Sequence, residues 1–162
     1  MCIRDSHTGD AGYLKDSHLY LTERIKDLFK TSNGKYISPQ ALETKLAIDR
    51  YIDQIAVIAD ERKFVSALIV PVYGFVKDYA KEKGIAYSNM DELLQHPKIQ
   101  ALFRARIDTL QQQFAHYEQV KRFTLLTEPF SMERGELTNT LKLKRSVVAK
   151  NYKGLIDKMY EE

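Results

Sequence analysis

The chain has 162 residues, of which 44% are apolar and 29% charged, values that suit one globular domain with a buried core. A single cysteine, Cys2, excludes an internal disulfide and fits a reducing compartment, and the longest mainly apolar run, residues 67–76, is too short to span a bilayer. The net charge of +3 equals the excess of lysine and arginine over aspartate and glutamate within residues 121–162. This basic tail is suited to face phosphates or an anionic surface, although a solvated helix face explains the charge as well.

Short strands and one helix are predicted in the amino-terminal part. Alternation at residues 19–22 suits a strand, and residues 36–37 are expected to pair with the apolar segment before them across the polar turn at 32–35. Ser38 is a favourable N-cap for a helix that is expected to end near Arg50. Pro39 is predicted to be the first helical residue. Leu42, Leu46 and Ile48 are predicted to form the apolar face of this helix.

The central part of the chain predicts a hairpin and then mainly helices. Residues 52–59 and 64–72 are β-branched and apolar, and a polar segment separates them, which indicates two paired strands. Further elements are predicted as helices at 75–83, 90–95 and from Pro97, a strand at 123–126, and a final helix at 146–159 that breaks near Gly154. The long helix is expected to carry a stripe of Ile99, Leu102, Phe103, Ile107, Leu110 and Phe114. Because strands and helices do not alternate regularly, the predicted fold class is α+β, with antiparallel hairpins packed against helices.

An acidic turn at Thr8-Gly9-Asp10 is the first candidate for chemistry. A carboxylate beside a glycine can accept hydrogen bonds from two neighbouring hydroxyl groups, such as those of a ribose, but Gly-Asp is also common in ordinary turns. Farther along, Arg24 offers a planar charged fork for ribose or phosphate oxygens, and Lys26 follows two positions later. A charged solvent-facing strand edge explains Arg24 and Lys26 equally well.

Two more segments combine glycine, threonine and lysine in patterns that suit a ligand. Gly34 and Lys35 lie in a polar loop where glycine lets the backbone approach a ligand closely, although Asn-Gly also favours a plain hairpin turn. Near the carboxyl end, residues 137–145 read Leu-Thr-Asn-Thr-Leu-Lys-Leu-Lys-Arg. A basic surface patch explains this second segment without any motif.

In their order along the chain, these four segments resemble the adenylate-forming (AMP-binding) superfamily, and most closely its long-chain fatty acid–CoA ligase branch. The family motif Pro-x-Thr-x-x-Gly-Lys is matched at Thr138 and Lys142, with the expected basic residue, Arg145, three positions after the lysine. This chain has Leu141 where most of the family has glycine. The resemblance implies that Lys142 is the catalytic lysine, with Lys144 as the rival.

The resemblance also implies roles for the other candidates. Asp10 and Arg24 would hold the ribose, and Lys26 would be the hinge between a large and a small domain. Gly34 and Lys35 would line the CoA tunnel in the second half-reaction. No metal ligand is expected in this chain, since the four histidines show no ligand spacing with the cysteine.

The resemblance divides the chain into three parts. Residues 1–6 do not look like family sequence, residues 7–25 match the tail of the large AMP-binding domain and the hinge, and residues 26–162 match the small C-terminal lid domain with a helical insert at about 73–121. The amino-terminal AMP-binding domain is the expected partner. It would supply the sites for the triphosphate, Mg²⁺ and the acyl chain, so this chain alone is expected to be inactive.

The implied reaction converts a fatty acid, ATP and CoA into acyl-CoA, AMP and pyrophosphate, in a cytoplasmic protein that can contact a membrane peripherally. The alternative is a free-standing CoA-binding or adaptor module without catalysis. A nucleic-acid-binding domain is not expected, because the aromatic residues follow the apolar periodicity of a core and do not interleave with basic residues on a sheet. The length of the acyl chain is not encoded in these residues.

Overall fold

The computed structural model describes residues 9–24 and 28–161, in which short strands and helices are mixed along the chain. The strands are β1 (Asp10–Lys15), β2 (His18–Arg24), β3 (Phe29–Lys30), β4 (Tyr36–Ile37), β5 (Ile52–Ile58), β6 (Val65–Pro71) and β7 (Val120–Leu125). The helices are α1 (Pro39–Leu46), α2 (Tyr73–Glu82), α3 (Met90–Gln95), α4 (Pro97–Leu110), α5 (Arg145–Asn151) and α6 (Lys153–Tyr160). The predicted α+β class is confirmed.

A two-stranded antiparallel hairpin of β1 and β2 comes first. Asp16 and Ser17 form its turn with φ of 50° and 62°, a two-residue connection whose twist matches that of paired strands. The rings of Tyr13 and Tyr20 stack across the strands, with centroids 5.2 Å apart. Both tyrosines are exposed, so this ribbon depends on its turn and its cross-strand pairs for stability.

The second hairpin, β3 with β4, leads directly into α1. The Ser38 side chain accepts a hydrogen bond from the third residue of the helix, as predicted for an N-cap. Leu42 and Leu46 are buried, but Ile48 is 70% exposed. The helix ends at Leu46 and not near Arg50, so the apolar spacing that placed Ile48 on the buried face extends beyond the real end of the helix.

The central sheet has three strands in the order β5-β6-β7. The predicted hairpin of β5 and β6 is confirmed, and the two strands are antiparallel. β7 pairs with β6 in parallel, with Ala67 opposite Phe123, a pairing that the prediction of antiparallel hairpins packed against helices did not include. A parallel neighbour requires a crossover, and α2, α3 and α4 provide it between β6 and β7.

Each face of this sheet is covered by helices. On β5 and β6, alternate residues contribute to two separate cores, because successive side chains point to opposite faces of a strand. One face packs against α1, α2, α3 and α4 through residues that include Val57, Ala67, Ile69, Leu93, Phe103 and Ile107. The other face packs against α5 and α6 through Ala56, Leu68, Val70, Val148, Ile156 and Met159.

The long helix and the final helix were also predicted, and the structure gives their limits. α4 stops at Leu110, so Phe114 lies beyond the helix, although its ring still packs against the first core. The final helical segment is divided at Tyr152, two residues before Gly154. Both α5 and α6 pack against the second face of the sheet.

Candidate functional site

Lys142 lies in a closed turn that precedes α5. Leu137 and Leu143 form an antiparallel bridge at its base. Between them, the Thr138 N–H donates to the Lys142 carbonyl oxygen (2.8 Å), and the Lys142 N–H donates to the Thr138 hydroxyl oxygen (3.0 Å). The side chain of Lys142 is exposed. The backbone of this lysine is therefore fixed, while its ammonium group remains accessible to a ligand.

Leu141 adopts the left-handed conformation inside the same turn. Its φ is 59°, and its N–H donates to the carbonyl oxygen of Thr138 (2.9 Å). This conformation costs an ordinary L-residue about 1–2 kcal/mol and costs glycine almost nothing. The side chain of Leu141 is 67% exposed, so no burial offsets the strain. The turn thus requires the conformation that glycine favours at the position where the family motif has glycine.

Lys144, the rival to Lys142, lies at the base of the turn. Its N–H donates to the carbonyl oxygen of Glu136 (2.7 Å), and it precedes the first residue of α5. Its side chain is exposed, as is that of Lys142. Exposure does not separate the two lysines, but only Lys142 has its backbone held by the threonine of the motif.

Glu136 supports the turn from below, a role that the sequence did not reveal. The residue is fully buried, and its carboxylate accepts hydrogen bonds from the Ser131 N–H (3.0 Å), Arg134 Nε (3.1 Å) and Asn151 Nδ2 (3.1 Å). Burial acts to raise the pKa of Glu136, but the three hydrogen bonds and the charge of Arg134 outweigh it, so the pKa is lowered. The ionised carboxylate ties the entry of the lysine turn to α5.

The loop between β3 and β4 holds Gly34 and Lys35 in a hydrogen-bonded turn. The Gly34 N–H donates to the Thr31 carbonyl oxygen (2.8 Å), and the Thr31 N–H donates to the Lys35 carbonyl oxygen (2.9 Å). Gly34 has φ of 75°, which explains the glycine at this position. Lys35 Nζ lies 5.5 Å from the centre of the Tyr117 ring, a favourable cation–π distance. Gly34 and Lys35 are both exposed.

An ion pair brings the lysine segment into contact with the segment that contains this glycine loop. Arg145 follows Lys142 by three residues, and its guanidinium group binds the carboxylate of Glu43 in α1 through two hydrogen bonds. Among the described residues, the Lys142 side chain itself forms no hydrogen bond with Gly34 or Lys35. Glu43 is the last residue of the glycine-loop segment in the sequence, but the local sequence pattern did not indicate that it would pair with Arg145.

Asp10 and Arg24 are neighbours in the first hairpin. They are directly paired at its open end, since Asp10 is the first residue of β1 and Arg24 the last of β2. The structure therefore brings together the two residues that were predicted to bind ribose. Thr8 and Lys26, the predicted hinge, lie outside the described residues.

Two properties of the described residues bear on ligands and membranes. Within residues 9–24 and 28–161, no three histidine, cysteine, aspartate or glutamate side chains gather closely enough to hold a metal ion. None of the helices between residues 28 and 161 combines the length and apolar character that crossing a bilayer requires.

Comparison with known proteins identifies the family. Residues 26–162 match the family of AMP-binding enzyme C-terminal domains. Long chain acyl-CoA synthetase 7, peroxisomal, of Arabidopsis thaliana is 34% identical over 160 residues, which cover 96% of this chain and 23% of that protein. Long-chain-fatty-acid–CoA ligase 5 of Rattus norvegicus is 35% identical over 162 residues, which cover 96% of this chain and 23% of that protein. The chain thus spans about a quarter of the length of these relatives.

Solved structures share the fold. The adenylation domain of a carboxylate reductase from Mycobacterium chelonae superimposes with a TM-score of 0.77 at 24% identity, over 96% of this chain and 23% of that one. The corresponding domain of a carboxylic acid reductase from Segniliparus rugosus, in complex with AMP and a carboxylic acid, gives a TM-score of 0.72 at 20% identity, over 94% of this chain and 23% of that one. Together with the match over residues 26–162, these findings show that the chain belongs to the family of AMP-binding enzyme C-terminal domains.

Proposed function

We propose that the chain is the C-terminal part of a long-chain fatty acid–CoA ligase. The observation that carries this proposal is the closed turn that fixes the backbone of Lys142 while its side chain stays exposed. A preorganised positive charge that can be brought to a reacting phosphate is what the first step of this chemistry requires. The relatives that are 34% and 35% identical to this chain bear the names of such enzymes.

In the proposed mechanism, a carboxylate oxygen of the fatty acid attacks the α-phosphorus of ATP, and pyrophosphate leaves. The ammonium group of Lys142 contacts the carboxylate and α-phosphate oxygens, where negative charge develops in the transition state. Asp10 and Arg24 hold the ribose, and their pairing in the first hairpin supports a shared ligand. Mg²⁺ and the triphosphate belong to an amino-terminal domain.

In the second step, the thiolate of CoA attacks the carbonyl carbon of the acyl-adenylate, and AMP leaves. We assign residues 26–162 to a small domain that rotates about Lys26 between the steps, and residues 7–25 to the end of the large domain. The rotation removes Lys142 and brings Gly34 and Lys35 to the CoA tunnel. Because long-chain fatty acids partition into membranes, peripheral contact of a cytoplasmic enzyme with a bilayer fits this function.

A domain exchange tests the proposal. Residues 26–162 replace the corresponding segment of a long-chain acyl-CoA synthetase, and ATP–pyrophosphate exchange and acyl-CoA formation are measured. We expect activity with the native graft and none with a matched graft that carries Lys142→Ala. If circular dichroism shows a folded graft but both chimeras are inactive, the ligase assignment is wrong. Calorimetric titration of CoA into the isolated chain then tests the CoA-binding alternative.

A further inference from the structure

The ion pair between Arg145 and Glu43 has the geometry of a rigid link. Arg145 Nη1 donates to Glu43 Oε1, and Nη2 donates to Oε2 at 2.7 Å, so the planar fork of the guanidinium group matches both carboxylate oxygens. The side chains are 26% and 14% exposed, which shields the pair from solvent and salt. The two residues are 102 positions apart in the sequence.

Both partners of Arg145 come from the segment that surrounds the glycine loop. Phe29 precedes this loop, and its ring centre lies 5.7 Å from the guanidinium carbon of Arg145. Glu43 follows the loop, in α1. Its Oε1 also accepts a hydrogen bond from the Val57 N–H of β5 (2.8 Å), so the carboxylate is anchored to the central sheet independently of the arginine.

Hydrogen bonds fix the backbone of the segment between Lys142 and Arg145. Leu143 is bridged to Leu137, and the Lys144 N–H is bonded to the carbonyl oxygen of Glu136. A displacement of Arg145 must therefore move the turn that holds Lys142. The same displacement also breaks the cation–π contact between Arg145 and Phe29, which lies at the start of the glycine loop segment.

We infer that Arg145 and Glu43 are positioning residues that hold the lysine turn and the glycine loop in one fixed relative orientation. The catalytic consequence of this inference depends on the proposed function, but the mechanical coupling does not. In a rotating domain, such a link makes the departure of Lys142 and the arrival of Gly34 parts of one movement. The bidentate edge of the guanidinium group of Arg145 is already occupied by Glu43, so we assign Arg145 a positioning role and not the role of a phosphate ligand.

The coupling is tested in the 162-residue chain by ¹H–¹⁵N NMR spectroscopy. Arg145→Lys keeps the charge and removes the fork, and Glu43→Gln keeps an acceptor for the Val57 N–H and removes the charge. Each variant is expected to shift amide resonances in both 31–35 and 138–143. The double variant is expected to add little to either single change, because the pair is already broken.

The matched control is Arg106→Lys. Arg106 Nε donates to both oxygens of the buried carboxylate of Asp49 at 2.8 and 2.7 Å. This pair is also an arginine–carboxylate ion pair between distant segments, but it joins α4 to the turn between α1 and β5. We expect the control to leave residues 138–143 unchanged. If the shifts of Arg145→Lys and Glu43→Gln stay within the segment of the substituted residue, the link does not couple the two loops and the inference is wrong.

Kinetics of the full-length protein supply the second readout. Arg145→Lys is expected to lower kcat of both half-reactions by up to about 10²-fold, the scale for a misplaced reacting group, with the KM for ATP retained. A raised KM for ATP with unchanged kcat and no shift in 31–35 would identify Arg145 as a phosphate ligand and overturn the inference. If the full-length protein makes no acyl-CoA, the proposed function fails, and the NMR experiment still decides whether the loops are coupled.

Discussion

Asp10 and Arg24 lie opposite each other at the open end of the β1–β2 hairpin, while the turn at Asp16 and Ser17 closes the other end. Paired residues of an antiparallel ribbon have Cα atoms about 4.5–5.5 Å apart. The strand register, and not proximity in the sequence, makes these two residues neighbours.

Asp10→Asn in the full-length protein is expected to raise the KM for ATP by about 10- to 10²-fold, because a hydrogen bond to a charged group contributes about 1.5–3 kcal/mol. The ribose lies away from the reacting phosphorus, so kcat should change less. Steady-state kinetics of ATP–pyrophosphate exchange measure both constants. Asp16→Asn is the matched control, since it makes the same charge change in the turn, where asparagine tolerates positive φ. Equal effects of the two substitutions would exclude a specific role for Asp10.

Lys26→Pro tests the proposed hinge. Proline fixes φ near −65° and removes the backbone N–H, so it prevents a rotation that requires φ to change. We expect adenylation to survive and thioester formation to fall, as measured by separate assays of the two half-reactions. Lys26→Ala removes the same side chain without fixing φ and should spare both steps. Equal loss of the two half-reactions in Lys26→Pro would place the hinge elsewhere.

The local sequence was sufficient to predict elements that depend on neighbouring residues in the chain. The β5–β6 hairpin follows from two β-branched runs around a polar turn, and the start of α1 follows from Ser38 and Pro39. The parallel pairing of β7 could not be predicted, because it depends on how three helices return the chain to β6. Ile48 was misplaced for a related reason, since apolar spacing does not reveal where a helix ends.

The candidate site divides in the same way. Motif residues such as Lys142 and Gly34 were proposed as candidates from order and spacing along the chain. The roles of Glu43 and Glu136 were not, because each depends on partners that only the fold brings together. Glutamate is rarely buried, so composition gave no reason to expect a fully buried carboxylate at Glu136.

Leu141→Gly is expected to stabilise the isolated chain by about 1 kcal/mol, since glycine removes most of the cost of positive φ. Urea denaturation of the chain measures the change. Leu141→Ala is the matched control, because it removes the same exposed side chain and keeps the strained φ of 59°. The control should not be stabilised. Equal stability of the two variants would mean that the turn stores no strain at Leu141.

Glu136→Gln is expected to change how stability depends on pH. The folded-state pKa of Glu136 lies below its ordinary value of 4.5, so the unfolded chain binds more protons as the pH falls below that value. The stabilisation by the carboxylate is therefore present above about pH 4.5 and is lost as the pH falls through the folded-state pKa. The variant should be about 1–3 kcal/mol less stable than the native chain at pH 7, the cost of weakening a buried charged network.

The difference in the free energy of unfolding between the native chain and Glu136→Gln should be smaller at pH 3 than at pH 7. Urea denaturation at both pH values measures it. Glu133→Gln serves as the control, since Glu133 lies in the same loop and is exposed. Its unfolding free energy should follow that of the native chain across the range. A constant gap between native and Glu136→Gln at pH 7 and pH 3 would show that Glu136 contributes by packing and not by charge.

Lys142→Ala in the full-length protein gives the most direct test of the site. Loss of one preorganised group that stabilises developing charge should lower acyl-adenylate formation by about 10²–10³-fold. Thioester formation from supplied acyl-adenylate should change far less, because the lysine has moved away by then. Lys144→Ala is the control and should cost little, since the part of Lys144 that supports the turn is its backbone N–H. If Lys144→Ala abolishes adenylation and Lys142→Ala does not, the alignment of the motif is wrong by two residues. If neither substitution matters, this turn does not supply the catalytic charge.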